Sequence, residues 1–428
     1  MKSNYKKLGQ YIEAFDFRNK NRAEPLGLDA IKGISSIYKS FIKTKANLVG
    51  VSPENYKVVK PNQFGFNPNT ARMGDKIPIA LNGGENDVLV SSIYPTFKIV
   101  DENELLPEYL MMWFKRPEFD RYARFKSHGS AREIFDFEEM CGVQLPVPPI
   151  EKQREIVKEY NTIVNRINLN EQINQKLEET AQSLYKHWFV DFEFPNENGQ
   201  PYKSSGGKME YSEEFDKEIP EGWEVKDLDD LATIKGGKRM PKGYTLGSTK
   251  NPHPYIKVAD MGNNKFVMLT HKFEYVPVEA QKIISRYTVN TGDLIISTVG
   301  SIGIVKIIDE SLDSANLTEN CNKVTNINGV SSDYLYHFLY SKTGREEIRM
   351  RDVGAVQAKL PMYNIESLSI LCPEDRIHKM FTKLMTSINN RQKNSKKENI
   401  HLLEIKNLIL SRISIVEHLK LDKSYEIH

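Results

Sequence analysis

Two stretches of this chain align without a gap. They are PEYLMMWFKRPEFDRYARFKSHGSAREIFDFEEMCGVQLPVPP at 107–149 and SDYLYHFLYSKTGREEIRMRDVGAVQAKLPMYNIESLSILCPE at 332–374. Tyr109 matches Tyr334, Gly129 matches Gly354 and Pro148 matches Pro373, each pair 225 positions apart (334−109, 354−129, 373−148). Self-similarity on this scale restricts the fold to two copies of one unit. A length of 428 residues leaves room for two to three domains. Upstream, Tyr56-Lys-Val-Val-Lys-Pro-Asn-Gln-Phe resembles Tyr287-Thr-Val-Asn-Thr-Gly-Asp-Leu-Ile at an offset of 231 (287−56), so the copies slip relative to each other there.

Within each copy the patterning changes from strand to helix. LIISTVG, SIGIVKII, Asp87-Val-Leu-Val and Thr96-Phe-Lys-Ile-Val read as short strands. Each copy thus opens with a mixed, strand-rich globule of about 150 residues. A proline and a heptad seam follow. The first seam is Ile156, Tyr160, Ile163, Ile167, Asn170, Asn174, Leu177, Ala181, Leu184 and Trp188, with unbroken 4-3 spacing. Its counterpart runs Phe381, Met385, Ile388, Gln392, Ser395, Asn399, Leu402, Lys406, Ile409 and Ile413. Forty residues of helix make a rod of about 60 Å. Both seams are apolar at the ends and polar in the middle. Paired antiparallel, they would set Asn170 and Asn174 opposite Ser395 and Asn399 as a buried register layer; alternatively the middle faces solvent or a partner. Trp113, Phe114, Tyr336 and Phe338 have the helical spacing and apolar company of core residues rather than of base-stacking platforms.

The segment FPNENGQPYKSSGGKMEYSEEF between the copies reads as an exposed connector. The expected division is 1–149 globule, 150–194 helix, 195–219 linker, 220–373 globule and 374–420 helix. A net charge of +2 excludes a surface that is cationic all round, though not localised basic patches. Cys141, Cys321 and Cys372 lie far apart without Cys-x-x-Cys spacing, so neither a disulfide framework nor a zinc site is expected; the bland reading is buried small hydrophobes. No run of roughly 20 apolar residues is present. The start, MKSNYKKLGQYIEAF, has no apolar segment behind its basic residues, so neither a membrane nor a secretory route is expected and the cytoplasm is the default.

Phosphate contact calls for cations and backbone donors, and base reading for Arg, Lys, Asn or Gln. Arg121, Arg124, Lys126, His128, Gly129, Ser130 and Arg132 form a basic segment whose repeat holds Arg349, Arg351, Gly354, Gln357 and Lys359. Lys235-Gly-Gly-Lys-Arg-Met-Pro-Lys242 supplies Lys235, Lys238, Arg239 and Lys242 beside glycines that permit close backbone approach, without the spacing of a nucleotide P-loop. Arg18, Lys20 and Arg22 occupy the corresponding early position of the first globule. For each of these groups the plain alternative is a solvated charged turn.

The duplicated globule-plus-helix plan resembles the specificity subunit of type I restriction-modification systems. The residues that carry the resemblance are Trp188-Phe-Val-Asp-Phe-Glu-Phe-Pro195, Gly199-Gln-Pro-Tyr-Lys-Ser-Ser-Gly-Gly207 and Ile219-Pro-Glu-Gly-Trp-Glu224 at the junction, and Leu145-Pro-Val-Pro-Pro-Ile-Glu-Lys-Gln-Arg-Glu-Ile156 at the first helix start. The second start, Leu371-Cys-Pro-Glu-Asp-Arg-Ile377, departs from the pattern: Glu374 replaces the second proline and the usual glutamine is missing. The resemblance implies an α+β fold with a pseudo-two-fold internal repeat, in which two target-recognition domains are carried on two long antiparallel coiled-coil helices. The helix-pair core would contain Ile156, Ile163, Leu177, Leu184, Trp188, Phe381, Ile388, Leu402 and Ile409. It implies a non-catalytic chain that reads a bipartite, asymmetric site on double-stranded DNA, with two methylation subunits and the restriction subunits as partners. S-adenosylmethionine, ATP and Mg would be used by those partners, and no cofactor or metal would be bound by this chain.

Two enzyme readings are weaker. Asn251-Pro-His-Pro-Tyr255 superficially resembles the Asn-Pro-Pro-Tyr loop of adenine methyltransferases, but His253 interrupts it and no adenosylmethionine glycine motif precedes it. Glu224-Val-Lys226 is a chance Glu-x-Lys without an acidic partner for nuclease chemistry. A coiled-coil scaffold whose globules bind protein is the non-enzymatic rival; the recurring basic segment and the junction motif argue against it.

Overall fold

The computed structural model describes residues 5–69, 76–127, 133–353 and 359–414. The fold is α+β, and the chain divides into two compact units. One comprises 1–168 with 401–428, the other 169–400. Among the described residues, no helix is long and apolar enough to cross a membrane.

The first unit is built on a four-stranded antiparallel sheet in the order Ile12–Phe15, Thr96–Ile99, Phe64–Phe66, Ile79–Leu81. Phe64 lies opposite Phe97 in register, and their rings stack at 4.8 Å with Phe114 edge-on to both. Helices Pro107–Phe114, Pro117–Lys126 and Phe137–Cys141 follow, then strand Gln144–Pro146 and the first long helix, Ile150–Phe189. Trp113 and Phe114 are buried in this core.

The second unit repeats the order with one strand more: Thr233–Gly236, Cys321–Thr325, Leu294–Ser297, Val305–Ile308, and Phe266–Val267 parallel to the last. Leu294 and Ile296 enter one core and Ile295 another, so the strand is covered on both faces and reads as a continuous apolar run. Helices Ser332–Tyr340, Lys342–Met350 and Met362–Glu366, strand Ser369–Cys372 and the second long helix, Asp375–Arg412, follow. From strand Thr96–Ile99 onward the repeated elements begin 225 positions apart (321−96, 342−117, 362−137, 375−150).

The caps differ in chemistry while the helix starts coincide. Pro107 and Pro117 sit at the first helical positions of unit one, where the missing N–H removes an orphan donor. Unit two uses Ser331 and Ser341, whose hydroxyls accept from the Tyr334 and Gly344 amides.

The stretch between Phe194 and Trp223 is largely exposed and is built of defined turns and a hairpin. Asn196 Oδ1 accepts from the Asn198 and Gln200 amides, Tyr202 stacks on Phe194 at 4.5 Å, and Met209–Ser212 pairs with Lys217–Pro220 as a hairpin. Phe194 and Trp223 stack at 5.1 Å within the second core, which anchors both ends of the segment. Of the three free cysteines, Cys321 is buried and Cys141 and Cys372 are half-buried.

Within the second unit, the globule is fastened to the second long helix by a buried polar cluster. Lys265 Nζ, 1% exposed, donates to Asp333 Oδ1 at 2.5 Å and Asn389 Oδ1 at 2.9 Å, and Asn389 Nδ2 returns a bond to Asp333. Lys397 adds a bond to Glu310 at 2.6 Å. Removing one member of a buried pair leaves an uncompensated charge. Lys265→Met is therefore expected to cost about 3–5 kcal/mol, read as a fall in the urea midpoint; an unchanged midpoint would show that the cluster holds nothing.

Candidate functional site

The two long helices run antiparallel within each unit. In the first unit Ile156 and Tyr160 share a core with Leu410 and Ile413. In the second, Trp188 and Phe189 pack on Phe381, with ring centroids 6.2 and 4.9 Å apart. Of the anticipated helix-pair core, Ile156, Trp188 and Phe381 are buried, while Ile163, Leu177, Leu184, Ile388, Leu402 and Ile409 are half-buried.

The polar middle is buried at Asn170, Gln392, Ser395 and Asn399 and half-buried at Asn174. Asn170 is 0% exposed, and its Nδ2 donates to Asn399 Oδ1 at 2.8 Å and Glu398 Oε2 at 3.0 Å. Gln392 Nε2 donates to Glu178 Oε2 at 3.2 Å and, more weakly, toward the Asn174 carbonyl at 3.4 Å. Ser395 is also buried. Polar groups in such a layer can be paired in only one alignment, so the layer selects register at a cost in stability.

The expected cations divide by their partners. Arg18 pairs with Asp16 at 2.5 Å and bonds the Asn55 carbonyl; Arg22 pairs with Asp87 and Arg124 with Glu133. Lys126 lies 3.7 Å from Glu139, Arg239 2.7 Å from Glu319 and Arg351 2.6 Å from Glu347. Lys20, Lys235, Lys238, Lys242 and Lys359 are exposed and face no ion-pair partner among the described residues. His128, Ser130, Arg132 and Gln357, with Gly129 and Gly354, lie outside the described residues. The basic segment is partly helical in both copies: Arg121, Arg124 and Lys126 belong to Pro117–Lys126, and Arg349 to Lys342–Met350. Arg121 pairs with Glu118 at i,i+3, and Arg351, which caps Lys342–Met350, pairs with Glu347 at i,i+4.

Around Lys238 the structure gathers residues that sequence reasoning did not single out. The Lys238 amide donates to Leu317 O at 2.8 Å, and the Leu317 amide to Tyr287 O at 3.1 Å. Lys238 Nζ and the Arg286 guanidinium lie 5.5 and 5.2 Å from the Tyr287 ring centre. Arg286 also donates to the Tyr287 hydroxyl at 3.1 Å; that bond, with the two nearby charges, holds the hydroxyl below the usual tyrosine range. Lys323 Nζ donates to Thr288 O at 2.5 Å, and Lys235 is its cross-strand neighbour. Gly237 permits this packing, since a Cβ there would collide with the Thr318 carbonyl. Residues 235, 286 and 323 meet only through strand pairing and backbone bridges, so no local motif announces them.

The methyltransferase-like loop has other employment. Asn251 Nδ2 donates to the Val276 carbonyl at 3.1 Å, Asn251 Oδ1 accepts from the His253 amide, and Tyr255 is buried with its hydroxyl on the Lys238 carbonyl. Glu224 and Lys226 pair with each other at 2.7 Å on a strand. Among the described residues no cluster of three His, Cys, Asp or Glu is placed to hold a metal ion.

The family described as type I restriction modification DNA specificity domain matches residues 81–179 and 220–404. The chain belongs to that family, whose members are specificity subunits and not catalysts by themselves. It is 24% identical over 381 residues to the type I restriction enzyme HindI specificity subunit of Haemophilus influenzae, covering 77% of this chain and 82% of that one. It is 26% identical over 323 residues to the MjaIX specificity subunit of Methanocaldococcus jannaschii, covering 74% and 70%. The crystal structure of the type I restriction-modification S subunit from M. genitalium shares the fold, with a TM-score of 0.56 at 12% identity over 96% of this chain and 95% of that one.

Asn170→Ala deletes the best-formed bond of the polar layer and leaves a buried void. It is expected to cost about 1–3 kcal/mol by urea denaturation, whereas Leu169→Ala, at the neighbouring exposed position, stays within about 0.5 kcal/mol. Equal effects would argue against an energetic role for the layer.

Proposed function

We propose that this chain is the DNA-reading subunit of a type I restriction-modification complex, in which each globule reads one half of a split, asymmetric duplex target and the paired helices set the gap. The observation that carries this reading is the repeat itself. Sheet order recurs, and from strand Thr96–Ile99 through the helix succession to the head of a long helix the elements recur at one offset, while the strands and loops upstream in each globule slip and differ. A constant frame with divergent reading surfaces suits recognition of two unlike half-sites.

The cations without an ion-pair partner among the described residues, Lys20 in the first globule and Lys235, Lys238, Lys242 and Lys359 in the second, are the proposed phosphate contacts. The internally paired Arg18, Arg22, Arg124, Lys126, Arg239 and Arg351 would reach DNA only by exchanging a carboxylate for a phosphate or base edge. His128, Ser130, Arg132 and Gln357 complete the proposed contact set. Two methylation subunits and the restriction subunits are the proposed partners, supplying the chemistry of S-adenosylmethionine, ATP and Mg in the cytoplasm.

Long-read methylome sequencing of a host carrying this chain with its methylation partner is expected to show one split adenine-methylated motif. Exchanging residues 1–149 for another reader should change one half and leave the other intact. If both halves change together, the modular reading is wrong. In the assembled methylation complex, Lys238→Ala and Lys242→Ala should each lower the slope of log affinity against log salt by about 0.9. A slope unmoved by both changes would remove this face from the interface.

A further inference from the structure

Gln153, in the first turn of Ile150–Phe189, is 0% exposed. Its Oε1 accepts from the Leu106 amide at 2.9 Å, and its Nε2 donates to the Glu104 and Pro148 carbonyls, each at 2.8 Å. Leu106 is the residue on which helix Pro107–Phe114 starts. The side chain thus ties the head of the long helix to the first helix after the sheet.

The second copy lacks the glutamine, yet the tie is present. Position 378 (153+225) is His378, and its Nε2 accepts from the Ser331 amide at 2.8 Å. Ser331 is the repeat mate of Leu106 (331−106 = 225) and starts helix Ser332–Tyr340. Thr382 Oγ1 donates to the His378 carbonyl at 2.9 Å and lies 3.3 Å from Ser331 Oγ. The same backbone N–H is therefore received by an amide oxygen in one copy and an imidazole nitrogen in the other.

We propose that Gln153 and His378 are equivalent positioning residues that fix each globule on the head of a long helix, and that the second tie alone opens on protonation. Nε2 can accept only in the neutral ring with its proton on Nδ1. Protonation turns Nε2 into a donor facing another donor, whereas the Gln153 amide does not titrate. The charged and titratable groups around the ring are Asp375 and Lys379 of its own helix, themselves paired at 2.5 Å, and Tyr334 edge-on at 6.1 Å from the neighbouring helix. Burial, the largest influence, holds the His378 pKa below 6.5 despite the opposing pull of Asp375. A lowered folded pKa means that the unfolded chain takes up the proton first. The stabilisation is therefore complete above about 6.5 and is lost as pH falls through the lower folded value.

Hydrogen-exchange mass spectrometry on the full chain at pH 7.5 and 5, corrected for intrinsic rates, tests this without reference to DNA. Protection of the peptide containing Ser331 should fall about tenfold at pH 5 while that containing Leu106 keeps its protection. His378→Gln should abolish the loss, and Gln153→His should create one at Leu106. Equal pH responses in the two copies, or a response surviving His378→Gln, overturns the proposal. The consequence for target reading rests on the DNA-reading function proposed above. In the methylation complex, acidification should weaken discrimination in one half-site only, and His378→Gln should restore it. An intact exchange result with no half-site effect would refute the positioning role while leaving the tie itself standing.

Discussion

Everything in this fold depends on each long helix finding apolar cover at both ends. A solitary helix of 40 residues with an apolar seam would expose that seam to water. Each unit solves the problem in the same way. The head of one helix and the tail of the other enter its core: Ile156 and Tyr160 with Leu410 and Ile413 in the first, Phe381 and Met385 with Tyr185 and Trp188 in the second. Neither core is therefore closed by its own globule alone. The helix pairing is a condition of globule stability as well as a connection.

Because the ends are held by large apolar clusters, the middle is free to be polar. Aliphatic residues at 170, 174, 392, 395 and 399 would bury more apolar surface, but they would pack in several alignments of comparable energy. The Asn170–Asn399 bond and the reach of Gln392 toward Glu178 are each made at a single alignment. If the helices set a distance between two reading surfaces, loss of register would alter that distance in steps of a turn, about 5.4 Å. A seam that trades stability for alignment suits such a task.

The frame was legible in the sequence because it is periodic. The repeat, the heptads and the core placement of Trp113, Phe114, Tyr336 and Phe338 follow from spacing, whereas the antiparallel helices are implied by the family resemblance. What spacing could not show is how charges settle. Arg124 and Arg351 read as a recurring basic surface, yet each pairs with a carboxylate, Glu133 and Glu347, which linear charge density does not reveal. Arg286 and Lys323 escaped notice for the converse reason. They lie 37 positions apart in the sequence (323−286) and come near each other only through the adjacent Tyr287 and Thr288, which Arg286 and Lys323 contact. The connector is largely exposed, and composition did not reveal its internal order: Asn, Gly and Ser here form turns, and Phe194, Tyr202 and Trp223 give those turns a core to pack against.

The clearest lesson lies in what the two copies replaced. One copy opens two helices with prolines at 107 and 117, the other with capping serines at 331 and 341 in the places of Leu106 and Arg116, and glutamine at the helix head becomes histidine. A sequence comparison scores each as a mismatch. Physically each lightens the demand of a helix start: a proline removes one orphan amide while a serine hydroxyl satisfies another of the same first turn, and an amide oxygen and an imidazole nitrogen both accept the hydrogen bond offered by the matched N–H of Leu106 or Ser331. What the two copies share is therefore relief of the orphan amides at the same helix starts, reached from different positions at the caps and from the same position at the Gln153 and His378 tie. The upstream loops answer to no such fixed requirement, which is why the two copies can differ there without loss of the frame.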